Sequence, residues 1–168
     1  EMKQTDIRTE FGAFKNSQVW FTVIMGVVGF GGMFSVYTYI SWTMTEVAGM
    51  DQSLIWVVLM AYGIGMTIGN AFGGWLADRN LEFGIIFALA CLIVILTAFY
   101  FLSGHAIPAT ICFGCVAFMG STLVPSLQLR LVHVAGDAQT LAAALNQSAL
   151  NIANAAGATI GGAVVGAG

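Results

Sequence analysis

Charge is absent from four long stretches of the chain: residues 16–45, 52–77, 83–129 and 138 to the end. A helix needs roughly 20 predominantly apolar residues to cross a bilayer, within a range of about 17–25. The first, second and fourth stretches each accommodate one span. The third is roughly twice the length that one span needs, and it is interrupted at "SGHAIP" (residues 103–108), where Gly and Pro signal a turn. The pattern predicts an all-α polytopic membrane protein with five transmembrane helices, near residues 19–43, 53–76, 83–102, 107–129 and 140–165.

Finer periods inside the spans predict what each face does. In the second span Ala61, Gly65, Gly69 and Gly73 recur every four residues and so form one smooth stripe. Lipid gives helices no hydrophobic reason to associate, so close backbone approach must supply the attraction. The stripe is expected to be a docking face; the plainer alternative is that glycine is simply common in membrane helices. The fifth span repeats the theme with Gly157 and Gly161 and adds Gln147, Asn151 and Asn154 at i, i+4 and i+7. Three amides facing lipid would leave donors and acceptors unpaired, at several kcal/mol each. They are expected to face protein, as interhelical hydrogen bonds, or a water-filled cavity, as part of its wall; both readings stay open. In the first span Phe30, Phe34, Tyr37 and Ser41 share a face that reads either as core packing or as a binding surface, and Tyr39 and Trp42 read as interfacial anchors. The third span is apolar all round and is expected at the lipid-facing periphery. Pro125 is expected to bend the fourth, beyond which Gln128 and Arg130 follow.

Composition removes the soluble alternative. Of 168 residues 58% are apolar and 8% charged, against about 25% charged in a typical soluble domain, and the mean hydropathy is +0.88. If the spans alternate, Lys3, Arg8, Lys15, Arg79 and Arg130 all fall on one side, and the opposite loops hold no Lys or Arg. The positive-inside rule makes that side cytoplasmic, with the N-terminus inside. In a prokaryote the membrane is the plasma (inner) membrane. Residues 1–18 read as the end of a cytoplasmic linker, with a short amphipathic helix around Phe11 and Phe14. No secretory signal pattern occurs there. The start without Met, and an end inside a Gly/Ala helix, suggest a piece of a longer transporter.

Reactive chemistry is sparse. No Ser-His-Asp set, paired intramembrane carboxylates or phosphate-binding G-x-x-x-x-G-K-[ST] loop can be assembled. Cys112 and Cys115 have redox-motif spacing but no neighbouring base to lower a thiol pKa. His105 and His133 fall at opposite membrane faces, against a zinc site. The expectation is therefore no enzyme, no cofactor, no metal and no nucleic-acid partner. The expected surroundings are the lipid bilayer and a small-molecule substrate.

At "GGWLADRN" (residues 73–80) the chain resembles the major facilitator superfamily, whose loop motif is G-x-x-x-D-[RK]-x-G-[RK]-x-[RK]. Gly74, Asp78 and Arg79 match its front half; Leu81 stands at the motif glycine and Glu82 at a basic position. A degraded copy of this kind resembles the one between the eighth and ninth spans. Residues 124–162 are similar to the tenth-to-eleventh span region of drug:proton antiporter-type members, especially arabinose-efflux-permease-like ones. The resemblance implies spans seven to eleven of a twelve-span fold, lacking here the first six-helix half and the final helix. It implies alternating access around a central cavity lined by the first and fourth helices, with candidates Phe34, Tyr37, Ser41, Phe113, Met119, Gln147, Asn151 and Asn154. It implies export of a sugar-like or drug-like molecule by proton antiport; the alternatives are an uptake facilitator of the same superfamily or a scaffold subunit that moves no solute. Gly74, Asp78 and Arg79 are then expected to form a conformational latch, with Asp78 accepting from N–H groups at a helix N-terminus and Arg79 holding a carboxylate or helix C-terminus. The simpler reading of that pair is a solvated loop.

Overall fold

The computed structural model describes residues 14–136 and 138–166; the amphipathic helix expected around Phe11 lies largely outside them. Five helices follow in order: α1 (Ser17–Trp42), α2 (Ile55–Arg79), α3 (Leu81–Leu102), α4 (Ala106–Ala135) and α5 (Gln139–Gly166). All five are long and apolar enough to cross a membrane. Even α3, with 22 residues, is about 33 Å long at 1.5 Å per residue, against a hydrocarbon core of about 30 Å.

The helix ends follow from local chemistry. Asn16 caps α1 by accepting from Gln18 N at 3.0 Å. Its amide also donates to Val134 O at 2.8 Å, tying the start of α1 to the end of α4. At its other end α1 widens into a π-helical turn, Thr43–Val47. The reversal that follows uses Gly49 at φ +64°, a left-handed conformation that favours glycine. Asp51 then opens a short 3-10 turn, Gln52–Leu54. Hydrogen bonds from Ser53, side chain and then backbone, hold the Asp51 carboxyl below the ordinary aspartate range.

Two boundaries differ from expectation. Helix α2 runs through Asp78 and Arg79, so only Asn80 separates it from α3. Helix α4 continues six residues past 129, because Leu131 is buried with Val19, Val23, Ala142 and Ala149 and so rewards another turn and a half of helix. It also passes through Pro125 as one uninterrupted helix.

Helix α4 is the most enclosed of the five and forms the axis of the bundle. Its small residues let neighbours approach on several sides. A Cβ on Gly120 would collide with Met33 of α1. The stripe on α2 docks on another side: a Cβ on Gly65 would meet the Gly114 carbonyl, and on Gly69 the Phe118 carbonyl. On Gly73 it would lie 2.5 Å from Thr122 O. The docking face thus has its partner. Helix α5 uses Gly157 and Gly161 in the same way against α1, where a Cβ on Gly157 would sit 2.7 Å from Gly31 O. Tyr39 is drawn into this second seam and donates to Ala158 O at 3.0 Å, so it ties α1 to α5 and does not stand free as an anchor. Trp42 remains exposed. Helix α3 buries Gly84, Ile85, Ala88, Leu92 and Phe99 and turns Ile86, Ile93, Val94 and Phe101 outward, as a peripheral helix does.

Candidate functional site

Most hydroxyls in these spans are satisfied locally. Thr38, Thr67, Thr97, Thr110, Ser148 and Thr159 each donate to the carbonyl four residues back, at 2.8–2.9 Å. They need no partner from another element. Five other polar groups behave differently. Tyr37 and Ser41 on α1, and Gln147, Asn151 and Asn154 on α5, are exposed, and their side chains have no hydrogen-bond partner among the described residues. The amide stripe lies on the side of α5 turned away from the Ala149–Ala153–Gly157–Gly161 face that packs on α1.

The remaining cavity candidates occupy more enclosed positions. Phe34 and Met119 are half-buried and pack on the central core. Phe113 is fully buried. It is backed by an aromatic group that sequence reasoning missed: Tyr62 of α2 lies 4.7 Å from the Phe113 ring and 4.8 Å from Tyr37, measured between centroids. Nothing in the periodicity of α2 marked Tyr62, because it sits beside the glycine stripe and reads as core. Near Tyr37, a cavity of about 440 Å³ is lined by Ser41, Trp42, Thr45, Gln52 and Ile55. Asn146, also missed, is the buried amide of α5, one position before the exposed stripe.

At the opposite, basic end stand Gly74, Asp78 and Arg79. Gly74 has open space where a side chain would go, so no close contact requires it here. Arg79 lies over the Trp75 ring at 4.2 Å, a cation–π contact one turn back along its own helix. Asp78 is exposed and has no hydrogen-bond partner among the described residues. The N-terminus of α3 is capped by Asn80, whose side chain accepts from Phe83 N at 3.1 Å. The residue that holds this end together is Arg130. It donates to Thr22 Oγ1 at 3.2 Å and to Gln18 Oε1 at 3.3 Å, and pairs with Glu82 at 3.6 Å. One guanidinium thus links α4 to α1 and α3. Its partners are 108 and 112 positions away, beyond the reach of any local pattern.

Cys112 is buried, and its thiol lies 3.4 Å from Ile95 O, whereas Cys115 is exposed. Among the described residues no three His, Cys, Asp or Glu side chains come together as a metal site requires.

Five apolar helices of membrane-crossing length, packed on glycine seams, make the chain a multi-pass integral membrane protein. The comparisons give its family. The Major Facilitator Superfamily profile matches residues 2–167, and the chain belongs to that family. It is 34% identical to the inner membrane transport protein YdhP of Escherichia coli K12, over 97% of this chain and 42% of YdhP. It is 36% identical to the uncharacterized MFS-type transporter YfhI of Bacillus subtilis, over 95% of this chain and 40% of YfhI. It is 25% identical to the purine ribonucleoside efflux pump NepI of Salmonella paratyphi B, over 80% of this chain and 34% of NepI. The chain therefore spans less than half the length of these relatives. No solved structure is a significant match.

Proposed function

We propose that this chain is the larger part of the second six-helix half of a secondary transporter, spans seven to eleven of twelve, and that the whole protein exports a small organic solute by proton antiport. The observation that carries the reading is a set of unsatisfied polar groups: the side chains of Tyr37, Ser41, Gln147, Asn151 and Asn154 are exposed and have no hydrogen-bond partner among the described residues. In a bilayer, polar groups in that state need protein or water opposite them. A water-filled cavity closed by a first helical half meets the need and brings a solute into contact with the same groups. Export is supported by the similarity to NepI, a purine ribonucleoside efflux pump. Coupling to protons places its titrating acid outside these spans, whose carboxylates, Asp78 and Glu82, stand at helix ends. The basic end faces the cytoplasm by the positive-inside rule.

The test is replacement of Gln147, Asn151 and Asn154 by Leu in the complete transporter. The expected result is normal membrane abundance with loss of solute efflux from loaded vesicles. Loss of assembly with no transport by the parent protein supports the scaffold reading instead, and inward flux down a gradient supports the uptake facilitator. The latch reading of Asp78 and Arg79 is tested separately. Asp78→Asn shifts the inward/outward balance, read by labelling of cysteines placed on the two faces, and unchanged labelling on both overturns it.

A further inference from the structure

Tyr37, Tyr62 and Phe113 come from three helices and form one aromatic stack. The Tyr37–Tyr62 and Tyr62–Phe113 centroids are 4.8 and 4.7 Å apart, and the Tyr37 and Phe113 planes lie within 19° of parallel at 6.5 Å. The stack is graded in exposure: Phe113 is 0%, Tyr62 7% and Tyr37 42% accessible. Buried rings on two sides therefore hold Tyr37 in place while part of its own surface stays open.

The hydroxyl groups point to a ligand. Tyr62 is more than nine-tenths buried, yet its hydroxyl has no hydrogen-bond partner among the described residues. Among those residues no fully buried polar side-chain atom lacks a partner. The small accessible part of Tyr62 therefore includes its hydroxyl. Tyr37 likewise has an unpartnered hydroxyl. A buried tyrosine ordinarily finds a partner for its O–H, so two such groups in one stack mark a place where hydrogen-bonding capacity is held in reserve. The same two helices continue into the 440 Å³ cavity, to which Ser41, one turn beyond Tyr37, and Ile55, two turns before Tyr62, both contribute. No charged residue lies in the first span between Asn16 and Thr45, so the stack itself offers ring contacts and neutral hydrogen bonds, and the first carboxylate, Glu46, stands beyond it at the cavity's outer edge, where it accepts from Thr45 at 3.4 Å.

We propose that Tyr37 and Tyr62 form a binding subsite for a neutral, planar aromatic solute: its ring stacks on the open side of Tyr37, and its polar substituent bonds to the Tyr62 hydroxyl. The proposal rests on the transporter reading above and narrows its substrate class from sugar-like or drug-like to aromatic.

The experiment uses the complete transporter in lipid nanodiscs and two probes of similar size, 1-naphthol and its saturated counterpart 1-decalol, with empty nanodiscs subtracted. An aromatic pair contributes about 0.5–1.5 kcal/mol beyond buried area, so 1-naphthol is expected to bind about two- to tenfold more tightly. Tyr37→Leu abolishes that preference. Tyr62→Phe keeps the stack, and weakens 1-naphthol about two- to tenfold for the loss of one hydrogen bond. Equal binding of the two probes, or a preference that survives Tyr37→Leu, overturns the subsite. Counterflow of 1-naphthol in proteoliposomes is measured in parallel. Failure of flux with the binding preference intact removes the transport reading and leaves the subsite; flux of other solutes without the preference does the reverse.

Discussion

Two helix pairs in this bundle are built on glycine, and they differ in what the glycines meet. In the α2–α4 seam, the space a Cβ would take on Gly65, Gly69 and Gly73 is filled by backbone of Gly114, Phe118 and Thr122. Backbone in the middle of a helix cannot rotate away. In the α1–α5 seam Gly157 also faces backbone, at Gly31 O and Ser35 N, but Gly161 and Gly162 face the ring and hydroxyl of Tyr39. A side chain has other rotamers. The first seam is rigid along its whole length, and the second is rigid in the middle and adjustable towards the Tyr39 end. A transporter half that rocks as one body needs the first kind, and a helix bordering a moving interface is served by the second.

The largest expected effect breaks the rigid seam. Gly69→Ala drives a methyl group into Phe118 backbone, so α2 and α4 must separate along their contact. Overpacking ordinarily destabilises by about 1–3 kcal/mol, and this case belongs at about 3, because every clashing atom is backbone. Denaturant unfolding of the chain in mixed micelles measures it. Phe118→Ala in the same molecule brings no recovery, since the obstructing atoms are not in the phenyl ring. Recovery would mean that the seam is set by side chains after all.

The corresponding change in the adjustable seam is smaller and, unlike the first, curable. A Cβ on Gly161 lies 2.7 Å from Tyr39 Cδ2 and 3.0 Å from Ser35 Oγ. Gly161→Ala is expected to destabilise by about 1–2 kcal/mol. Tyr39→Leu, itself unfavourable through loss of the bond to Ala158 O, relieves part of that clash. A double-mutant cycle then returns a coupling above about 0.5 kcal/mol in the direction of rescue. Additivity of the two changes would place Gly161 with the rigid glycines.

Much of this contrast was legible before any coordinates. The four-residue spacing in α2 requires one smooth face, and lipid leaves close packing as its use. The partner was not legible, because one helix's stripe does not say which neighbour it meets. The same holds for Tyr39: its place in the chain suggests the membrane interface, and only the approach of α5 reveals the Ala158 carbonyl. The expected end of α4 at 129 follows from the charge of Arg130, which closes the charge-free stretch, whereas Leu131 beyond it is buried. Within the candidate site, the exposed Tyr37 and the amide stripe follow from period alone. Tyr62 and Arg130 do not, since each acquires its meaning from residues on other helices.

Arg130 is a side-chain bridge between the two pairs, reaching from α4 to Thr22 and Gln18 on α1. Arg130→Gln removes both bonds and the Glu82 contact, and is expected to destabilise by about 1–2 kcal/mol. Glu82→Gln removes only the ion pair with a largely exposed carboxylate, worth about 0–1 kcal/mol and further reduced by salt. Unfolding of both variants at low and high ionic strength separates the contributions. Equal losses from the two substitutions would mean that the arginine serves α3 and contributes nothing to the joint between the seams.

A small effect of opposite sign is the sharpest control on the comparison. Gly63 lies on the same helix as Gly65, two residues earlier, and a Cβ there has nothing within 4 Å. At about 100° per residue the two glycines point well over a quarter-turn apart, so one faces α4 and the other faces away from it. Gly63→Ala therefore adds no clash and removes the entropic penalty of glycine in a helix, about 0.8–1 kcal/mol at most in favour of the folded chain. Gly65→Ala, with the same change of one methyl group in the same helix, behaves like Gly69→Ala and destabilises by about 3 kcal/mol. Unfolding free energies of the two variants, measured side by side in the same micelles, give opposite signs if the seam is a matter of which face the glycine occupies. The same sign for both would mean that glycine content, and not its register against α4, sets the stability of α2.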